Sequence, residues 1–259
     1  MVETDASLKP LSISLVVFAC VFGSALVGTT LRKIMPEHYL NPEANEVIKL
    51  GLGLITVMTA LVLGLLISTA KSSYDTRRTE VAEIAADAIL ADRSLALYGS
   101  ETKDARIALH ELVVNLLEQI HLAGGEAPKA SSSEVKIGAA DFYQTVRRLS
   151  PRGDEQKALK AEVLWISIEV AQVRADALAQ ESTSIPVPLL MVLTVWLVIL
   201  FIGFGLFAPP NLTVLTALLL CAFSVSAAIF MVIEMDEAFI GVMQISDEPV
   251  RNAIAIIGK

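Results

Sequence analysis

A chain of 259 residues that is 54% hydrophobic and 19% charged, with a mean hydropathy of +0.62, is too apolar for an ordinary soluble domain. Its net charge of −8 provides no basic face for nucleic acid, which is therefore not an expected partner. The two cysteines, Cys20 and Cys221, lie in apolar runs without ligand partners at a useful spacing, which argues against a disulfide framework and against a metal site.

The first uncharged run, 11–31, has the roughly 20 residues that a bilayer crossing requires. The residues before it carry Glu3 and Asp5 against Lys9, whereas a cleaved signal peptide begins basic. Val17-Phe18-Ala19-Cys20 faintly resembles a lipoprotein cleavage site, but Phe18 fits poorly and the apolar run continues past the cysteine. A retained first span is expected. The second run, 50–70, is equally long. The third, 182–233, is long enough to cross twice, and its Ala208-Pro209-Pro210-Asn211 is a turn that one helix could not absorb. It divides into spans at about 186–207 and 211–233, which makes four membrane helices and an all-α fold.

Between the second and third spans the composition changes to charged, helix-patterned sequence. Val81, Ile84, Ala85, Ala88 and Leu95 recur at helical spacing up to Tyr98, and Gly99-Ser100 ends that helix. A second helix follows over 101–121, then a Gly, Pro and Ser loop over 122–133. Ser131 to Glu134 resembles a capping box that opens a third helix to about Leu149. After the turn Ser150 to Asp154, a long helix runs to about Thr183, with an elbow over 184–188. No break separates Leu50 from Tyr98, so that rod is expected to reach about 70 Å at 1.5 Å per residue. The expected organisation is a membrane pair at 1–70, a soluble bundle at 71–185, a membrane hairpin at 186–234 and a tail at 235–259. The tail's apolar run from Phe239 to Ile245 is too short to span. With the small helix 250–257 it reads as an interfacial or inter-subunit segment.

Four spans place both termini and the bundle on one side of the membrane. Lys9, Lys71, Arg77, Arg78 and Arg251 flank that side, against Arg32, Lys33 and Lys49 opposite, which favours a cytosolic bundle in a cell inner membrane.

Enzyme chemistry has little support. Gly51-Leu52-Gly53 lies at the start of a span with no strand before it, so it is not a phosphate loop. His38, His110 and His121 are isolated, and Asp154-Glu155 is an ordinary acidic helix start. Neither a catalytic residue nor a cofactor is expected. The second span is more informative. Thr56, Ala60, Gly64 and Ser68 form a stripe of small side chains that ends near Lys71. Such a stripe commonly serves close helix packing, and it can also form a pore wall. Glu234, Asp236 and Glu237 follow the fourth span, either as a solvated helix end or, in a symmetric oligomer, as an acidic ring that attracts cations.

The segment 61–83 carries Ser73-Tyr74-Asp75 followed by Arg77 or Arg78 and Glu80, and it resembles the exit of the second membrane helix in bestrophin channels. Leu50 to Leu54, Ala60 to Asp75, Tyr98-Gly99, Gly205 to Pro209 and Glu234 to Phe239 are together similar to a bestrophin-like family of bacterial four-span proteins, over most of the chain. The resemblance implies a homo-oligomeric ring, such as a pentamer, with second helices around a central ion pathway. Its partners would be the bilayer, further copies of the chain and inorganic ions. Bestrophins narrow their pathway with bulky apolar residues where this chain has Ala60, Gly64 and Ser68, so either the pore is wider or the helix packs tightly. No acidic run like the animal calcium clasp is present, and calcium gating is not inferred. The resulting expectation is an ion channel with Thr56, Ala60, Gly64, Ser68 and Lys71 along the pathway and Glu234 and Asp236 as electrostatic filter. The alternatives are a structural or signalling membrane protein whose bundle binds partners and, more weakly, a secondary transporter.

Overall fold

The computed structural model describes residues 3–34, 42–122, 132–180, 187–209, 211–236 and 243–258. Among these the chain is all-α: α1 (Glu3–Ile34), α2 (Pro42–Tyr98), α3 (Lys103–Leu122), α4 (Ser132–Arg148), α5 (Asp154–Gln180), α6 (Val187–Phe207), α7 (Leu212–Asp236) and α8 (Glu248–Ile256). Four helices, α1, α2, α6 and α7, are long and apolar enough to cross a membrane, as expected from the sequence. The residues divide into two compact units, one holding Glu3–Ser73 and Ile185–Asp236, the other Tyr74–Ser184 and Glu237–Lys259.

In the first unit α1 packs along α6 and α7. Val21 and Ala25 of α1, Leu193 and Leu197 of α6, and Ala222 and Ile229 of α7 form its interior. The backbones of α1 and α6 come close at Gly28 and Gly205. A Cβ on Gly28 would collide with the Ile202 carbonyl oxygen, and one on Gly205 with that of Ala25. Lipid tails are as apolar as leucine, so burying apolar surface does little to pair helices in a bilayer. The close approach of two backbones, which small residues permit, is what holds them together instead. Proline-rich sequence ends α6 at Phe207, and Leu215 donates its amide to the Asn211 carbonyl as α7 begins. The expected turn at 208–211 therefore separates these helices, although Pro210 lies outside the described residues.

In the second unit one apolar core joins five helices. Ala85, Ala88 and Leu95 come from α2, Leu109 and Val113 from α3, Phe142 and Val146 from α4, Val163 and Ile166 from α5, and Val250 and Ala253 from α8. Gly99 makes the first reversal possible at φ +128°, a conformation that side chains disfavour. Thr102 fixes the turn by donating its hydroxyl to the carbonyls of Leu95 and Gly99, at 2.6 and 2.7 Å. Lys160 of α5 donates to the carbonyls of Arg147 and Leu149, at 2.8 and 2.7 Å, supplying positive charge where α4 ends. Helix α8 lies against α3 with Val250, Ala253 and Ile257 buried. That apolar face, expected from the sequence to serve an interfacial or inter-subunit contact, packs within its own unit. The expected loop at 122–133, its capping serine Ser131, the elbow at 184–188 and the run 237–242 lie wholly or largely outside the described residues.

Candidate functional site

Helix α2 differs from its neighbours in what covers it. In α1, α6 and α7 a third of the most apolar window is buried (33%), whereas in α2 only 11% is. At 100° per residue the buried positions Thr59, Leu66 and Ala70 fall on one side of α2. Leu52 lies on that side too, against Gly203 of α6, where an added Cβ would meet its side chain.

The small-residue stripe lies elsewhere. Thr56, Ala60, Gly64, Ser68 and Lys71 are all exposed, and a Cβ built on Gly64 meets nothing within 4 Å. Among the described residues nothing covers the stripe as a packing partner. Leu50, Leu54, Leu61 and Leu65 form a second outward stripe roughly a quarter turn further round, each more than 60% exposed. Helix α2 thus presents three faces: one seated on its own unit, one small and partly hydroxylic, one of bulky aliphatics. The Thr56 hydroxyl donates to the Leu52 carbonyl at 2.8 Å, which satisfies its proton and leaves oxygen lone pairs facing outward.

The Ser73, Tyr74, Asp75, Arg77 and Glu80 motif continues along the same helix. Tyr74 packs against the core of the second unit, Ser73, Arg77 and Glu80 are half-buried, and Asp75 is exposed. The two acidic candidates on α7 differ from one another. Glu234 is only 2% exposed, whereas Asp236, in the last turn, is half-buried. The sequence offers a solvated helix end or, in a symmetric oligomer, an acidic ring; in the structure Glu234 is buried rather than solvated.

Among the described residues no group of three His, Cys, Asp or Glu is placed to hold a metal ion, and Cys20 and Cys221 are free and exposed. His110 is half-buried at the α3 surface, while His38 and the side chain of His121 lie outside the described residues.

The structure adds a buried ion pair that apolar periodicity alone does not reveal. Arg106 of α3 donates through Nε and one terminal nitrogen to the two carboxylate oxygens of Asp92 on α2, at 2.7 and 2.9 Å. The hydrogen bond to Asp92 raises the Arg106 pKa further and holds the guanidinium charged. The sequence does carry a signal for it. Asp92 sits four residues after Ala88 and three before Leu95, directly on the apolar stripe, where an acid must find a partner. Nearby, Ser94 donates to Glu162 of α5 at 3.1 Å and Gln156 to the Tyr98 carbonyl at 2.9 Å, so α2 is tied polar-to-polar to both neighbours.

The model of a bestrophin-like domain matches residues 17–250. No curated protein matches the chain.

Proposed function

Because the chain belongs to the bestrophin-like family and is a membrane-embedded protein, we propose that it assembles as a homo-oligomeric ion channel whose α2 helices surround the conduction path. The observation that carries this reading is the bareness of α2: its stripe of Thr56, Ala60, Gly64 and Ser68 is exposed along its whole length. In a ring, that stripe faces the axis and the Leu50, Leu54, Leu61 and Leu65 face meets lipid or the adjacent copy. Small side chains widen the path, and hydroxyl and carbonyl oxygens replace part of an ion's hydration shell. Lys71 lies at the mouth on the bundle side. Glu234, 2% exposed, and Asp236, half-buried in the last turn of α7, are the acidic filter candidates of this reading. Conduction down a gradient requires no catalytic residue and no cofactor. The protein would reside in a bacterial inner membrane, with bundle and termini in the cytosol.

The test is flux through liposomes that contain the purified protein. The space beside Gly64 is open, so Gly64→Leu should leave the subunit folded and change the ion flux. Vesicles that are equally tight with and without the protein would sink the channel. One observation favours a second reading, a non-conducting signalling or scaffold protein: α2 passes unbroken from the first unit into the second, as a mechanical link would. That reading predicts tight vesicles and a monomer or dimer rather than a ring.

A further inference from the structure

Helices α2, α3, α4 and α5 leave a cavity of about 70 Å³ in the core of the second unit, counted as the space open to the centre of a water molecule. A single water needs roughly 10–15 Å³ on that measure, so the space would hold several, yet its walls offer them few partners. Ile84, Leu112, Phe142 and Ile166 line it with hydrocarbon, and the small Ala88 on α2 leaves the space unfilled. Of the two polar side chains among the described residues that line it, Ser167 already donates its hydroxyl to the Val163 carbonyl at 2.7 Å. The other is Asp87, the one ionisable group among the described residues of the wall.

Asp87 sits in an unfavourable field. Burial foremost, then the negative charges of Glu169 on α5 and Glu83 one turn back on α2, hold its carboxyl above the ordinary aspartate range. A bound cation would relieve the repulsion, while the apolar walls have no use for a hydrated metal ion. We propose that this cavity binds a small organic cation, a protonated amine or quaternary ammonium with a short hydrocarbon body, its nitrogen against Asp87 and its carbons on Ile84, Leu112 and Phe142. A simple alcohol would gain the walls without the charge, and a carboxylate would be repelled. The site lies wholly within the second unit and stands whether or not the protein conducts ions.

The experiment is thermal unfolding and calorimetric titration of the full-length protein in detergent with butylammonium, butanol and butyrate. Butylammonium should raise the melting temperature saturably, butanol less, and butyrate not at all. Asp87→Asn should weaken butylammonium about tenfold or more, the loss of one ion pair, and leave butanol unchanged. Ala88→Leu should fill the space and abolish both responses. If either variant fails to fold, Glu169→Gln provides the check, since it weakens the field without touching the wall and should reduce butylammonium affinity alone. Equal responses to butylammonium and butanol, no saturable response, or an Asp87→Asn protein that binds butylammonium as before would overturn the proposal.

Discussion

Asp92 and Arg106 show how much can depend on two side chains in a bundle. A carboxylate only 4% exposed is tolerable because a guanidinium meets both its oxygens. Arg106→Leu would strand that charge and should destabilise the protein by about 3–5 kcal/mol, measured by chemical denaturation followed through helix content. Replacing both partners, Asp92→Leu with Arg106→Met, should recover most of the loss. If the single and double variants proved equally unstable, the pair would not be the source of the effect. Asp87 works in the opposite sense. Its folded pKa is raised above the ordinary 3.8, so the fold binds that proton more tightly than the unfolded chain does. Stability is therefore lost as pH rises from 3.8 through the raised value, and the loss persists at neutral pH. Asp87→Asn should raise the melting temperature at pH 7, with the gain fading below 3.8. An equal shift at both pH values would point to packing instead of charge.

At the scale of helices, what is legible in the sequence is what neighbouring residues decide. Span length, the 208–211 turn, Gly99 and the acidic start at Asp154 each act within a few residues, and the helix ends fall close to where those signals stand. Which face of a helix is covered depends on residues far away in the chain. The stripe on α2 can be read as Thr56, Ala60, Gly64 and Ser68, but whether anything lies against it cannot, because packing and pore favour the same small residues. Asp92 escapes notice for a related reason: its partner lies beyond a turn, and a tally of apolar positions omits the acid among them. Gly205 reads in the sequence as one more small residue in an apolar run. In the fold it is where α6 meets α1, whereas Gly51 on α2 has open space. Gly205→Leu should therefore cost about 1–3 kcal/mol or more, while Gly51→Leu should be tolerated, as measured by thermal unfolding in detergent. Similar stability in both variants would mean that α1 and α6 separate readily.

For the whole molecule the deciding feature is what covers α2. A helix with two outward faces of different character suits a place between an axis and a neighbour, and it suits lipid on all sides less well. Cross-linking separates the two. In a background lacking Cys20 and Cys221, Gly64→Cys should form intermolecular disulfides under mild oxidation if α2 helices face one axis. A cysteine on the aliphatic face, Leu61→Cys, should react less. Mass measurement of the detergent-solubilised protein should then give a discrete ring. A chain that remains monomeric, with neither cysteine cross-linked, would leave lipid as the cover for both faces.

The close fit of Gly28 and Gly205 also governs how the protein is made. The first span emerges from the ribosome long before the helix that fits it, with α2 to α5 synthesised in between. At about 5–20 residues per second the delay is on the order of ten seconds or more. Throughout that interval the glycine face of α1 waits in the bilayer without its partner, open to chaperones, the insertion machinery or the α1 of another nascent chain. Closure of the first unit is thus a late event in biogenesis, and an error at Gly28 would become apparent only after the last hairpin has inserted.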